Sequence, residues 1–272
     1  MSALEAIVLG IVQGLTEFLP ISSSAHLRIV PAFAGWEDPG AAFTAVTQLG
    51  TIAAVLLYFR RDLIRIALAW GASIVRRDRR HGVDARLGWI IVLGTVPIGL
   101  FGLAFKDQIE SGARSLYLIG STLIVLGLVL LVAEHVGTRE RGVDTIGLRD
   151  GIAIGVAQAA ALVPGVSRSG ATITAGLFLG LEREAAARFS FLLSVPAIVL
   201  SGLFELGSID SGGHEVGVGA LAIATVLAFV VGYASIAFLL RFLATHSTVA
   251  FVAYRIVLGF LVLALAATGT IE

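Results

Sequence analysis

Apolar residues along the 272-residue chain fall into blocks of two lengths. The long blocks are Ala41 to Phe59, Leu87 to Phe105, Leu116 to Ala133, Phe189 to Leu206, Val218 to Leu240 and Val249 to Ala267. Each approaches the about 20 apolar residues that a membrane-crossing helix needs, so six transmembrane helices are predicted. The blocks at Ala6 to Leu19 and Ala25 to Ala34 are too short to cross, and a polar break separates them. Pro20 cannot continue a helix and biases Leu19 toward extended backbone. Ser22, Ser23 and Ser24 then offer N-caps for a second helix starting near Ala25. Two short helices hinged in this way predict a re-entrant hairpin, tolerated at membrane depth only when packed in protein or lining a cavity.

The opening pattern returns in the second half at a nearly constant offset. Gly10-Ile-Val-Gln13 reappears as Gly155-Val-Ala-Gln158, Pro20 as Pro164, and the serine cluster as Ser167-Arg168-Ser169. Each half then holds a re-entrant pair followed by three spans. Three is odd, so the halves must run in opposite orientations, which makes an inverted-topology repeat. The expected fold is an all-α integral membrane protein with six transmembrane helices and two re-entrant helical hairpins. It forms one membrane domain, residues 1–272, with repeats at about 1–135 and about 150–272.

Charge orients this plan. Arg60, Arg61, Arg65, Arg76, Arg77, Arg79, Arg80 and Arg86 crowd a predicted loop after the first span, and such loops stay cytoplasmic. Both termini are then outside, as is the loop from Ser208 to Val216, which has no Lys or Arg. The loop from Lys106 to Arg114 has mixed charge, and the link from Glu134 to Asp150 interleaves Arg139, Arg141 and Arg149 with acids.

Composition narrows the class. With 57% hydrophobic residues, 14% charged and a mean hydropathy of +0.95, the chain is not a soluble domain. A formal charge of zero leaves no footprint for nucleic acid. Cysteine is absent, which removes disulfides, thiolate metal sites and cysteine nucleophiles. The N-terminus carries Glu5 and no basic stretch, which argues against a cleaved signal peptide.

The chemistry-bearing residues collect at the two breaks. The first reads Q-G-L-T-E-F-L-P-I-S-S-S-A-H from Gln13 to His26, with Gln13 and Glu17 four apart on one helix face. The second reads P-G-V-S-R-S-G-A-T from Pro164 to Thr172. There Gly165 and Gly170 allow close backbone approach, Ser167, Ser169 and Thr172 supply hydroxyls, and Arg168 can grip phosphate bidentately. Helices starting near Ala25 and Ala171 aim positive ends at the breaks, which with Arg168 describes an anion site suited to phosphate. Ser22 and Ser24 complete the phosphate-binding set. It is neither a Walker loop nor a G-x-S-x-G elbow. Glu17 is suited to hold a divalent cation or act as a base, with Gln13 offering a neutral oxygen ligand. The nucleophile is a serine hydroxyl, His26 or metal-bound water; Ser23, matched with Ser167 in the repeat, is the candidate hydroxyl. The plainer roles are a structural ion pair between Arg168 and Glu17 and a packing role for His26. Arg28 either extends the anion site or faces headgroups, and Glu134, Arg241 and Arg255 read as snorkelling or packing residues.

These paired motifs, over essentially the whole chain, resemble the undecaprenyl-pyrophosphate phosphatases of the bacitracin-resistance type. That family carries Glu or Gln at the position of Gln13, so Gln13 leaves one carboxylate fewer for a metal. The resemblance implies removal of the terminal phosphate from the C55 isoprenyl diphosphate lipid, which recycles the carrier of cell-wall synthesis. It also implies a plasma-membrane location, a site open to the outer face and a divalent cation, Mg²⁺ or Ca²⁺. A homodimer is compatible with the sequence. The competing class is a prenyl-phosphate flippase or anion transporter, since inverted repeats with broken helices suit alternating access. His26 beside Glu17 and the serines favours chemistry, because transport needs no nucleophile.

Overall fold

The computed structural model describes residues 1–75, 82–105, 115–207 and 217–271. The expected outer loops Lys106 to Arg114 and Ser208 to Val216, and Arg76, Arg77, Arg79 and Arg80, lie outside the described residues. Within them the chain is all α, with helices α1 (Ala3–Phe18), α2 (Ser23–Ala34), α3 (Gly40–Tyr58), α4 (Arg60–Val75) and α5 (Val83–Ala104). Then come α6 (Leu116–Val136), α7 (Leu148–Ala159), α8 (Arg168–Phe178), α9 (Arg183–Gly207), α10 (Val218–Thr245) and α11 (Val249–Ala267).

Helix ends follow local chemistry. Ser2 and Glu5 close a capping box on α1, each side chain bonding the other's backbone N–H at 3.2 Å. α1 stops at Leu19, which is extended before Pro20. α2 and α8 begin earlier than expected, at Ser23 and Arg168, because Ser22 and Ser167 are the N-caps. Gly35, left-handed at φ 67°, closes α2.

Among the described residues four helices are long and apolar enough to cross a membrane: α5, α6, α10 and α11. α3 joins them only as half of a bent pair with α4, the two meeting at 75°. α9 is long but opens on Arg183, Glu184 and Arg188. The chain is thus a multi-pass membrane protein, and among the described residues four or five of the six expected spans stand on length and composition.

The arginine-rich stretch is not wholly a loop. Arg60 to Val75 form α4, in which Leu63, Ile66, Trp70 and Ser73 repeat at helical spacing and face inward. Trp70 meets Trp89 of α5 edge-on at 5.7 Å and covers Gly88, where a Cβ would strike the indole. Asp62 at the start of α4 takes a 2.7 Å bond from Arg188 of α9. An arginine-rich sequence hides this helix because its inward face is only one residue in three or four.

Tight packing relates the halves. α1 lies on α10, where Gly10 faces the Ala224 backbone; α7 lies on α5, where Gly155 faces the Gly94 backbone. α6 and α11 pack on each other through Gly120 and Gly259. Exchanging the halves carries the first contact onto the second and returns the third to itself.

Glu134, expected either to snorkel or to pack, is buried in a cross-link. It accepts bonds from Arg183 Nε at 2.7 Å, Arg139 Nη1 at 3.2 Å, and Thr248 N and Oγ1 at 3.2 and 2.7 Å. It ties the end of α6 to the start of α9 and the cap of α11. The nearby link is clasped by Arg141 on Asp150 at 2.6 Å, a bond that holds the Arg141 guanidinium above its usual value. Arg241 is exposed near the end of α10, as expected of a snorkelling residue.

Candidate functional site

The two breaks meet. Ser169 Oγ donates to the Leu19 carbonyl at 3.1 Å, and Arg168 forms an ion pair with Glu17. Glu17 Oε2 also accepts the Ser23 hydroxyl at 2.7 Å and the Gln13 amide at 3.2 Å. One buried carboxylate therefore gathers Gln13, Ser23 and Arg168. A small cavity beside it is lined by Glu17, Arg168, Ser169, Ser190 and Ser194, floored by Phe18 and Phe191, whose rings meet edge-on at 5.5 Å.

Backbone geometry sets the register of the repeat. Ser22 and Ser167 are N-caps with positive φ, 77° and 71°, a strained region for residues with a side chain. Each caps the third residue of its helix, Ser22 Oγ accepting from Ala25 N at 3.4 Å and Ser167 Oγ from Gly170 N at 3.1 Å. Each is bonded at 3.2 Å to the serine two residues on, Ser24 or Ser169. Ser22, not Ser23, is thus the counterpart of Ser167. The expected match was one residue out because alignment on the two prolines ignores the capping geometry. In the corrected register Ser23 corresponds to Arg168, Gln13 to Gln158, and Glu17 to Leu162. Ser23 and Arg168, equivalent by repeat, converge on the same carboxylate.

The remaining expected site residues divide. Ser24 is exposed at the mouth of α2, and Ser167 and Ser169 are buried at that of α8. Thr172 is turned inward, donating to the Arg168 carbonyl at 2.8 Å and bonded to Ser190. The glycines admit protein. Gly165, at φ 86°, packs against Ile119 and Thr122 of α6, and a Cβ on Gly170 would lie 2.8 Å from an Arg255 nitrogen. Arg28 faces Asp38 at 3.6 Å. His26 is buried without a hydrogen bond to Glu17 or Ser23; its Nδ1 lies 2.7 Å from the Ser22 carbonyl and its Nε2 2.7 Å from the Tyr254 hydroxyl.

Of the two roles expected of Arg255, snorkelling and packing, burial leaves the second. The side chain is fully buried on α11, and its guanidinium donates to the carbonyls of Pro20, Gly165, Val166 and Leu123 at 3.1 to 3.2 Å. Its partners among the described residues are backbone oxygens, which carry no sequence signature. Tyr254 was missed; only its place beside an arginine inside an apolar run could have marked it.

The donor set can be tested against a divalent cation. Among the described residues no group of three or more His, Asp or Glu side chains is placed to hold a metal. Glu17 and Gln13 nonetheless fit in part, because the buried Gln13 Oε1 has no hydrogen-bond partner. Two protein oxygens supplemented by substrate phosphate and water are an ordinary arrangement for Mg²⁺.

A family model for the bacitracin resistance protein BacA matches residues 6–261. The chain belongs to that family. Its relatives include an undecaprenyl-diphosphatase of Nocardioides sp., 57% identical over 268 residues that make up 98% of each chain. An undecaprenyl-diphosphatase 3 of Frankia alni is 56% identical, covering all of this chain and 97% of its own. An undecaprenyl-diphosphatase of Chloroherpeton thalassium is 52% identical, covering all of this chain and 99% of its own. The breaks that carry the BacA-type resemblance are thus the two that converge on Glu17.

Removing the Arg255 guanidinium strips donors from buried carbonyls of both breaks, each costing about 1–3 kcal/mol. Arg255→Ala should therefore lower the Tm of the purified protein in detergent by many degrees, and Arg255→Lys, with fewer donors, by less. An unchanged Tm in the Ala variant would show that the carbonyls find other partners.

Proposed function

We propose that this chain is a membrane phosphatase that removes the terminal phosphate of undecaprenyl diphosphate. The product, undecaprenyl phosphate, returns as the lipid carrier of cell-wall polysaccharide synthesis. The observation that carries the reading is the Glu17 carboxylate held between the Ser23 hydroxyl and the Arg168 guanidinium. Full-length relatives named undecaprenyl-diphosphatase support the substrate.

Ser23 is the nucleophile. Glu17 takes the Ser23 proton as the oxygen attacks the terminal phosphorus, and the bond from that phosphorus to the bridging oxygen breaks. The lipid monophosphate leaves, taking the proton from Glu17; the freed carboxylate then deprotonates the water that hydrolyses the phosphoserine and returns that proton to the Ser23 oxygen. Arg168 turns from Glu17 onto the transferring group, whose charge the amides opening α2 and α8 also face, with Ser22, Ser24, Ser167 and Ser169 around them. His26 holds the turn that carries Ser23 through the Ser22 carbonyl. Glu17 and Gln13 Oε1 would hold a divalent cation, Mg²⁺ or Ca²⁺, which when bound neutralises charge on the diphosphate.

In this reading α1–α2 and α7–α8 are re-entrant pairs of an inverted repeat. The other six long helices span, counting α3 and α9, and the breaks open to the outer face of the plasma membrane. The arginines of α4 and of the α6–α7 link then lie in the cytoplasm, together with the α10–α11 turn.

Phosphate release from undecaprenyl diphosphate tests the activity. Lys at 168 keeps the charge but loses the fork, so Arg168→Lys should lose roughly tenfold to a hundredfold in kcat/KM and Arg168→Ala more. Glu17→Gln and Ser23→Ala should each lose about a hundredfold or more, and the double variant little beyond either. With radiolabelled terminal phosphate, acid quench of wild type should trap label on the protein and Ser23→Ala should not. Protein that binds and moves the lipid but releases no phosphate with any metal would instead be a carrier.

EDTA should abolish release and Mg²⁺ restore it. Gln13→Glu adds a second carboxylate and should lower the Mg²⁺ concentration for half-maximal rate by about tenfold. An unchanged requirement would remove Gln13 from the cation site.

Since the chain has no cysteine, single cysteines report orientation cleanly. Thr270→Cys should react with an impermeant thiol reagent added outside intact cells, and Ala244→Cys, beside the α10–α11 turn, only after permeabilisation. The opposite pattern would invert the topology.

A further inference from the structure

His26 is bonded at both ring nitrogens, and only one partner lies in its own half. The Ser22 carbonyl can only accept, so Nδ1 carries a proton; in the neutral ring Nε2 then offers its lone pair to the Tyr254 hydroxyl. Tyr254 projects from α11, far along the chain, and its ring lies within 8° of parallel to the imidazole. The neighbouring Arg255 is the residue that holds the carbonyls of both breaks. One turn of α11 therefore grips the site twice, at the backbone of the breaks and at the imidazole that meets the Ser22 carbonyl. Ser22 is strained, and Ser23 follows it directly. A strained turn keeps its shape only when its surroundings over-determine it.

We propose that Tyr254 is a positioning residue for phosphoryl transfer. Its hydroxyl fixes the His26 ring, the ring fixes the Ser22 carbonyl, and the turn presents Ser23 to Glu17. This rests on the reading of Ser23 and His26 given above. The hydroxyl matters apart from the ring: Tyr254 is 44% exposed, and phenylalanine keeps the stacked surface while deleting the hydrogen bond. The expected loss falls on kcat, because the hydrogen bond of Tyr254 goes to His26 and not to Arg168, the side chain that binds the diphosphate.

The test is a double-variant cycle on purified protein with undecaprenyl diphosphate, using Tyr254→Phe, His26→Ala and the pair. Tyr254→Phe should lower kcat by about three- to tenfold with KM within about twofold, the size expected for one hydrogen bond. It should cost nothing further in the His26→Ala background. Tyr254→Phe at wild-type rate beside an impaired His26→Ala would overturn the role of Tyr254 alone, as would an equal fold-loss in both backgrounds. An unimpaired His26→Ala would overturn the role of His26, and the role of Tyr254 with it.

Discussion

Two helices broken inside an apolar bundle leave carbonyls that cannot be left dry; side chains such as Ser169 and Thr122 take some of them, and one guanidinium takes carbonyls of both breaks at once. Arg255 reaches Pro20 on one break and Gly165 and Val166 on the other. The convergence of the breaks depends on it more than on any apolar contact, since apolar packing does not choose which carbonyls face inward. Burying a cation is costly unless it is hydrogen bonded throughout, and here the peptide carbonyls do this work. The arrangement is mutual: unmade breaks would expose Arg255 to hydrocarbon without partners, and a missing Arg255 would expose the breaks.

The two halves resemble each other in backbone and differ in chemistry. Both carry a glutamine on the first helix, a serine N-cap at positive φ and a second serine bonded to the cap. They diverge where the repeat sets Glu17 against Leu162 and Ser23 against Arg168. A symmetric copy of the first half would put two carboxylates at the centre with no arginine; a copy of the second, two guanidinia with no base. The carboxylate and hydroxyl of one half beside the cation of the other give a site that neither half holds alone.

Much of this was legible in the sequence. Pro20 ends α1, the serine clusters start α2 and α8, and the long apolar blocks became helices, since these features depend on neighbouring residues only. The approach of Glu17 to Arg168 was foreseeable as a charge pair, and both roles expected of Arg168 hold together if it leaves the carboxylate for phosphate. Arg255 escaped because an arginine in an apolar run reads the same whether it snorkels or is buried, until its backbone partners are seen. Glu134 escaped for a similar reason, its partners Arg183 and Thr248 lying on distant elements. The register between Ser22 and Ser167 needed dihedral angles, which spacing does not supply.

Charge explains why a glutamine at position 13 is workable. The charged groups gathered at the breaks are Glu17, Arg168 and Arg255, a formal excess of one positive charge beside two helix N-termini that add partial positive charge. That balance favours an anion such as a diphosphate. A carboxylate at position 13 would cancel the excess and weaken the field that favours an anion. With an amide the site keeps its positive field, and Gln13 can both donate to Glu17 and leave an oxygen free. The amide thus favours anion affinity, which suits a site whose substrate carries the negative charge itself.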